Sequence, residues 1–131
     1  MTSRQQVRDP AMSFDKYAQI LDLLVEKTDS GKLDWKETGD ESRFVVSFPN
    51  YSVLIGEERG GSEVPDYFIS IVNSEGKIVD SFSNLGPSLN DLSEHPTIVM
   101  QDLFNKARRR ALRVDDALDN IIAHLAGATG R

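Results

Sequence analysis

Few residues of the types that carry out enzyme chemistry occur in this chain, and those present are poorly placed to act together. The 131 residues include no cysteine, which excludes thiolate nucleophiles, zinc fingers, iron–sulfur clusters and disulfide frameworks. A serine nucleophile needs a histidine base within hydrogen-bond reach, and the two histidines, His95 and His124, lie at opposite ends of a predicted helix. We interpret His95 as a capping or solvated loop residue and His124 as a solvated residue near the helix C-terminus. The sequence therefore predicts no catalytic residue.

No cofactor or metal site is indicated either. The chain lacks a Gly-x-Ser-x-Gly elbow, a Walker lysine loop and a Gly-x-Gly-x-x-Gly motif. Its acidic residues form two clusters, one of Glu57, Glu58, Glu63 and Asp66 and one of Asp115, Asp116 and Asp119. Both lie in stretches typical of solvated surface, whereas a catalytic carboxylate needs a pocket that raises its pKa, and neither has EF-hand spacing. We therefore predict solvated acidic surfaces without a cofactor or a metal ion.

The one dense basic segment lies on the predicted C-terminal helix. It comprises Lys106, Arg108, Arg109, Arg110 and Arg113, which a helical wheel spreads around the helix. We favour a structural role in which these side chains cover the sheet rim and pair with acids, while recognition of an acidic partner stays open. With 15 Lys and Arg against 21 Asp and Glu, the formal net charge of −6 makes nucleic acids and anionic membranes unfavourable partners.

Two pairs of residues on this helix are candidates for binding. Leu112 lies on the polar side, where nothing within one protomer requires an apolar residue, so Leu112 and Arg109 form a candidate anchor pair for another protein chain. Arg108 and Arg110 flank the apolar stripe and are candidate contacts for a small anion.

The elements that must position these residues begin with an N-terminal helix. Ser13 is a suitable N-cap, and Gly31 supplies the stop. A core-facing stripe repeats at three- and four-residue spacing and consists of Phe14, Tyr17, Ala18, Leu21, Leu24 and Val25. Ile20 and Leu23 fall outside that stripe, which indicates a second contact on another side of the helix.

Beyond Gly31 the apolar period changes to two, which predicts about five short strands. Their expected core-facing residues are Leu33 and Trp35, then Phe44, Val46 and Phe48, then Tyr51, Val53 and Ile55, then Tyr67, Ile69 and Ile71, then Ile78 and Phe82. A turn at Pro49-Asn50 and another at Asn73-Ser-Glu-Gly76 are too short to cross a sheet, so neighbouring strands must be antiparallel. The pattern predicts an antiparallel meander.

A long helix is predicted from Thr97 to Ala126, with Pro96 in its first turn. Its apolar residues share one arc, which favours packing on the sheet. Asp115 is a favourable N-cap and offers an alternative in which the helix divides near Arg113.

The resulting fold class is α+β, with the N-terminal helix and the long C-terminal helix packed on one face of the sheet. We predict a single domain over residues 13–126, a disordered N-terminal tail over 1–12 and a flexible C-terminal tail over 127–131. The second face of the sheet mixes serines with Val45, Leu54, Phe68 and Val72. That mixture is typical of a partly covered surface, which an edge of a helix, the long loop, a second chain or a ligand would cover.

Three segments carry a resemblance to known sequences. They are Tyr51-Ser-Val-x-Ile55, Pro65-Asp-Tyr-x-Ile-x-Ile-x-Asn73-x-x-Gly76-x-x-Val79 and Leu103-Phe-x-x-Ala-Arg-Arg-Arg-Ala-Leu-x-Val-Asp-Asp-Ala-Leu118. Over roughly Leu33 to Leu125 the chain resembles small stand-alone bacterial α+β proteins of uncharacterised function, a hypothetical-protein family. The resemblance implies a sheet-and-helix domain and no mechanism. Such proteins often carry Gly before the Val-Asp pair, where this chain has Arg113.

The function we expect is that of a non-enzymatic, cytoplasmic protein-interaction domain that self-associates as a homodimer. Its surface would combine the second sheet face with the outer side of the long helix around Leu112. The alternative is a domain that binds a small ligand or anion in a pocket between the sheet and the long helix. No apolar window approaches eighteen residues, and the first dozen residues contain no apolar run of signal-peptide length.

Overall fold

The computed structural model describes residues 10–60, 64–85 and 95–129. Five strands form one sheet in the order β1-β2-β3-β4-β5, and each pairs with its neighbour in antiparallel fashion. The elements in chain order are α1 Pro10–Asp29, β1 Lys36–Glu37, β2 Arg43–Ser47, β3 Tyr51–Glu58, β4 Asp66–Asn73, β5 Ile78–Ser83, α2 Pro96–Ala111 and α3 Val114–Thr129. The predicted α+β class, with its five-stranded antiparallel meander, is confirmed.

The first helix begins earlier than expected and ends where expected. It starts at Pro10, a residue suited to a first helical turn, so Ser13 lies inside the helix and its prediction as the N-cap is wrong. At the other end Gly31 adopts a φ of 75°, and the Gly31 and Lys32 amides donate back to carbonyls of the last turn. This left-handed cap explains why glycine ends α1. Of the predicted tails, residues 1–9 and 130–131 lie outside the described residues, whereas 10–12 and 127–129 are helical.

One face of the sheet is buried beneath α1 and α2. Alternate residues of the four longer strands point to this face, as the period-two pattern predicts. The prediction is wrong for Phe48 and Tyr51, which are exposed because they lie at the turn between β2 and β3. The buried sheet residues are Phe44, Val46, Val53, Ile55, Tyr67, Ile69 and Phe82. They pack against Leu21 and Leu24 of α1 and against Met100, Leu103, Phe104 and Ala107 of α2. The rings of Phe44 and Tyr67 lie 5.5 and 5.7 Å from the ring of Phe104.

The last hairpin changes which side chain points to the core. Its Asn73-Ser-Glu-Gly76 turn forms as predicted, with Gly76 at a φ of 85°. The register then shifts between Ile71 and Val72, so that Val72 pairs with Ile78 while Ile71 pairs with Asp80. The extra residue moves Ile78 to the second sheet face, where it is exposed. The prediction that Ile78 belongs to the core is therefore wrong, because a β-bulge reverses the alternation.

The long C-terminal helix is divided into α2 and α3. Leu112 ends α2, and Arg113 adopts a φ of 54°, the left-handed region that glycine occupies without strain. The Arg113 carbonyl accepts the amide of Ala117, so Arg113, and not the predicted Asp115, is the N-cap residue of α3, which begins at Val114. The prediction that the whole C-terminal helix packs on the sheet holds for α2 but not for α3. The third helix contacts mainly the end of α2, and its side chains are largely exposed.

Replacing Phe104 with alanine is expected to lower the free energy of unfolding by about 3–5 kcal/mol, because the substitution leaves a cavity between α2 and the sheet. Ile98→Ala, on the exposed side of the same helix, is the matched control and is expected to cost less than about 1 kcal/mol. Urea unfolding followed by the fluorescence of Trp35, the one tryptophan in the chain, measures both values. Equal effects of the two substitutions would contradict the packing described.

Arg113→Gly is expected to raise the free energy of unfolding by about 0.5–1 kcal/mol, since glycine removes the left-handed strain at the cost of some backbone entropy. Arg113→Ala is the control, because it removes the same side chain and keeps the strained Cβ. Thermal unfolding followed by helical circular dichroism compares the three proteins. A glycine variant no more stable than the alanine variant would rule out strain at this junction.

Candidate interaction surfaces

The basic segment forms an ion-paired cluster at the junction of α2 and α3. A cavity of about 530 Å³ lies between this junction and the end of α1. Four cationic side chains of the segment line this cavity, and each of them pairs with a carboxylate. Lys106 pairs with Asp29 and Asp102, Arg109 with Asp115 at 2.6 Å, Arg110 with Asp34 at 3.4 Å and Arg113 with Asp116 at 2.9 Å. The predicted structural role of these residues, pairing with acids, matches this arrangement.

These ion pairs bear on the residues predicted to contact an anion. The side chain of Arg110 is held by Asp34, whose pKa is lowered first by its hydrogen bond to Lys36 and further by Arg110. The side chain of Arg108 is exposed and does not line this cavity. On the sheet side of α2 the residues are buried against the strands, and the cavity at the junction lies elsewhere. An anion that bound at the junction would have to displace carboxylates from their partners.

Leu112 and Arg109, the predicted anchor pair, lie at this same junction. Leu112 is the C-cap residue of α2 and is 38% exposed, and Arg109 is engaged by Asp115 across the break. Both residues belong to the helix layer. The other predicted interaction residues lie on the opposite face of the sheet, so the two sets do not form one continuous surface.

The second sheet face carries the remaining predicted interaction residues, and no described helix packs on it. Val45, Leu54, Phe68 and Val72 are all half-buried there. Neighbouring hydroxyls bond across the strands, with 2.8 Å between the oxygens of Ser70 and Ser81. These side chains therefore cover one another in part, which reduces the apolar area left for a partner.

Phe68 shows how that mutual coverage arises. Its ring lies over Gly56 on the neighbouring strand, so closely that a Cβ at Gly56 would stand 2.2 Å from the ring. The guanidinium of Arg43 also lies over this ring, 5.2 Å from its centroid. Glycine at position 56 thus makes room for an aromatic ring that would otherwise project into solvent.

The most exposed apolar surface in the helix layer is one face of α3. Leu118, Ile121, Ile122 and Leu125 are 46, 53, 61 and 62% exposed. Together with half-buried Val114 they follow helical spacing and form a continuous line, which we call the α3 stripe. The stripe was predicted to be core because its spacing continues that of α2. The signal in the sequence that points to a break is Asp115, a favourable N-cap, whereas Arg113 in place of a glycine favours a continuous helix.

A second apolar surface lies beside α1. A groove of about 290 Å³ runs between this helix and the sheet, and apart from Lys27 every lining residue is apolar. Its walls include Ile20, Leu23 and Leu24 of α1, with Leu33, Phe48 and Ile71 opposite. Leu23 is 53% exposed. Ile20 and Leu23 are the two residues that fell outside the predicted core stripe, and we call this surface the α1 groove.

The remaining chemical candidates have structural partners. The Nδ1 atom of His95 accepts the amide hydrogen of Thr97 at 3.1 Å, which confirms its interpretation as a cap, and His124 is exposed on α3. Glu57 accepts a hydrogen bond from the hydroxyl of Tyr67, whose pKa is raised by burial and by this carboxylate. Among the residues that the structure describes, no group of three acidic or histidine side chains is arranged to hold a metal ion.

Comparisons with known proteins add no relative. The chain matches no protein-family model, and neither a curated protein nor a solved structure is significantly similar to it. The resemblance to small hypothetical bacterial proteins therefore stays a prediction. Within the described ranges, no helix has the length and apolar character needed to cross a bilayer.

The stability that the ion-paired cluster gives to the fold is expected to fall at alkaline pH, where Lys106 loses its proton. Its hydrogen bonds to Asp29 and Asp102 raise the pKa of Lys106, so the folded state holds this proton more tightly than the unfolded state does. The stabilisation is complete below the ordinary pKa of lysine and is lost as pH rises through the raised value. Urea unfolding is expected to show Lys106→Gln about 0.5–1 kcal/mol less stable than wild type at neutral pH, with that gap closing in alkali.

Lys32→Gln is the control for this series, because Lys32 is exposed and outside the cluster. Its difference from wild type is expected to stay near zero throughout. A gap for Lys106→Gln that does not change with pH would show that the ion pairs contribute nothing to stability.

Proposed function

We propose that this protein is a non-enzymatic interaction module that self-associates through the α3 stripe. The observation that carries the proposal is the exposure of Leu118, Ile121, Ile122 and Leu125 on a helix that packs mainly against the end of α2. A continuous apolar patch of this kind is uncommon on a monomer and typical of an interface. Burying each half-exposed aliphatic side chain contributes roughly 1 kcal/mol, so the stripe is a substantial source of binding free energy.

Charge favours a protein partner over a membrane or a nucleic acid. Residues 114–129 contain Asp115, Asp116 and Asp119 and no lysine or arginine. Amphipathic helices that lie on membranes carry lysine and arginine beside the apolar face, which anionic lipids attract. An acidic helix on a chain of net charge −6 is repelled by lipid and nucleic-acid phosphates instead. The apolar stripe is therefore suited to another protein surface.

The α3 stripe is a better candidate for the main interface than the second sheet face. Phe68, Leu54 and their neighbours are half-buried by contacts with each other and with Arg43. In the stripe, all residues except Val114 are about half exposed or more. Burial is worth more where more apolar area is removed from water. We include a cytoplasmic location in the proposal, because a chain without cysteine needs no oxidising compartment.

Size-exclusion chromatography with light scattering tests self-association. Wild-type protein is expected to have a mass near twice the 14.6 kDa of one chain. Ile121→Asp places a charge in the centre of the stripe, where burial in an interface is strongly unfavourable, and is expected to give the mass of one chain. Asn120→Asp introduces the same group on the polar side of α3 and is expected to leave the dimer intact.

Circular dichroism of the Ile121→Asp variant is expected to retain wild-type helicity, since the stripe contributes little to the folded protomer. Wild-type protein that runs as a monomer at high concentration would contradict the proposal. So would a dimer that Ile121→Asp leaves unchanged, because the interface would then lie elsewhere.

A further inference from the structure

We propose that the α3 stripe of one protomer docks into the α1 groove of a second copy, with the contact repeated in the other direction by two-fold symmetry. This inference rests on the proposed self-association and names the surface that receives α3. Both surfaces are apolar, both belong to this chain, and the described residues of one protomer fill neither of them.

Charge complementarity supports the pairing of these two surfaces. On α1 the exposed residues Lys16 and Lys27 lie in line with Ile20 and Leu23, at spacings that place all four on one side of the helix. No described side chain forms an ion pair with either lysine. A cation therefore stands at each end of the apolar wall of the groove.

The complementary acids lie beside the α3 stripe. Asp115 and Asp119 are four residues apart and border the stripe on the side of Ile122. Asp119 is exposed, and Asp115 is 82% exposed although it pairs with Arg109. An apolar line bordered by acids thus matches an apolar wall bordered by lysines, whereas two α3 helices face to face would bring like charges near each other.

The helix junction disfavours docking of α3 into the groove of its own protomer. The ion pair of Arg109 with Asp115 spans the break and links the first turn of α3 to the end of α2, and the pair of Arg113 with Asp116 lies within that first turn. In this arrangement α3 contacts mainly α2, and its apolar face is exposed. A second copy is not restricted in this way.

The amount of apolar surface that is covered also favours reciprocal docking. A dimer contains two α3 stripes and two α1 grooves. Pairing one α3 with the other would bury the stripes and leave both grooves exposed to water. Reciprocal docking buries all four surfaces in one isologous contact, so it removes more apolar area from water.

Site-directed cross-linking tests the inference, and the absence of native cysteine makes each introduced thiol unique. One chain carries Leu23→Cys in the groove, and a second, labelled with ¹⁵N, carries Ile121→Cys in the stripe. The two are mixed, allowed to exchange and treated with a short bismaleimide, and mass spectrometry identifies the linked pairs. We expect about tenfold more heterodimer linked between positions 23 and 121 than with Asn120→Cys on the polar side, because docking raises the local thiol concentration.

If α3 packs in another way, the cross-linked products differ from the expected heterodimer. Linked pairs of Ile121→Cys chains without heterodimer would show α3 paired with α3, which overturns this inference and leaves self-association through α3 intact. A chain carrying both Leu23→Cys and Ile121→Cys that cross-links within itself would show that α3 closes on its own groove, which also overturns it.

Wild-type protein of one-chain mass would reject both the proposed function and this inference. A dimer that yields no cross-link above the Asn120→Cys control rejects the docking alone. Leu23→Asp provides an independent readout, because a charge in the groove is expected to lower the mass to that of one chain, and an intact dimer would contradict the docking.

Discussion

The left-handed backbone of Arg113 separates the part of the C-terminal segment that packs on the sheet from the part that is exposed. The apolar spacing of α2 continues without interruption into α3, so an unbroken helix would carry Leu118 and Leu125 along the same face as Leu103. The break changes the direction of the chain after Leu112, and the second half of the pattern leaves the sheet. A local backbone conformation at one residue thereby converts a predicted core stripe into an exposed surface.

Electrostatics at the same junction gives the basic segment its structural role. The cations that line the junction cavity would be a plausible anion site if their partners were absent, yet carboxylates from α1, the β1 approach, α2 and α3 lie against them. Such exposed pairs are individually weak, but several of them joined at one junction restrain the relative direction of three helices. A binding partner would therefore be held by burial of apolar surface and not by recognition of an anion at this junction.

Sequence patterns were sufficient for the sheet because side-chain alternation and turn chemistry act locally. Gly31, the Asn73-Ser-Glu-Gly76 turn and the buried faces of β2 to β4 follow directly from residue types. The bulge that exposes Ile78 was not predictable from alternation, since one inserted residue places Ile78 and Phe82 on opposite faces of the sheet. The path of α3 was not predictable either, because helical spacing specifies which residues share a face and says nothing about what that face meets. In the sequence, the second apolar surface on α1 is indicated by Ile20 and Leu23, which fall outside the core-facing stripe.

Amide hydrogen exchange at a series of protein concentrations distinguishes a stripe that is exposed in one protomer and buried by association from one that is packed within its own chain. Amides of residues 118–125 are expected to exchange rapidly in dilute protein and to slow progressively as concentration rises, while those of the central strands β3 and β4 stay protected throughout. Complete protection of α3 in dilute, monomeric protein would rule out association through the stripe, because the stripe would then be packed within its own chain. Exchange in α3 that stays rapid at every concentration would contradict it equally.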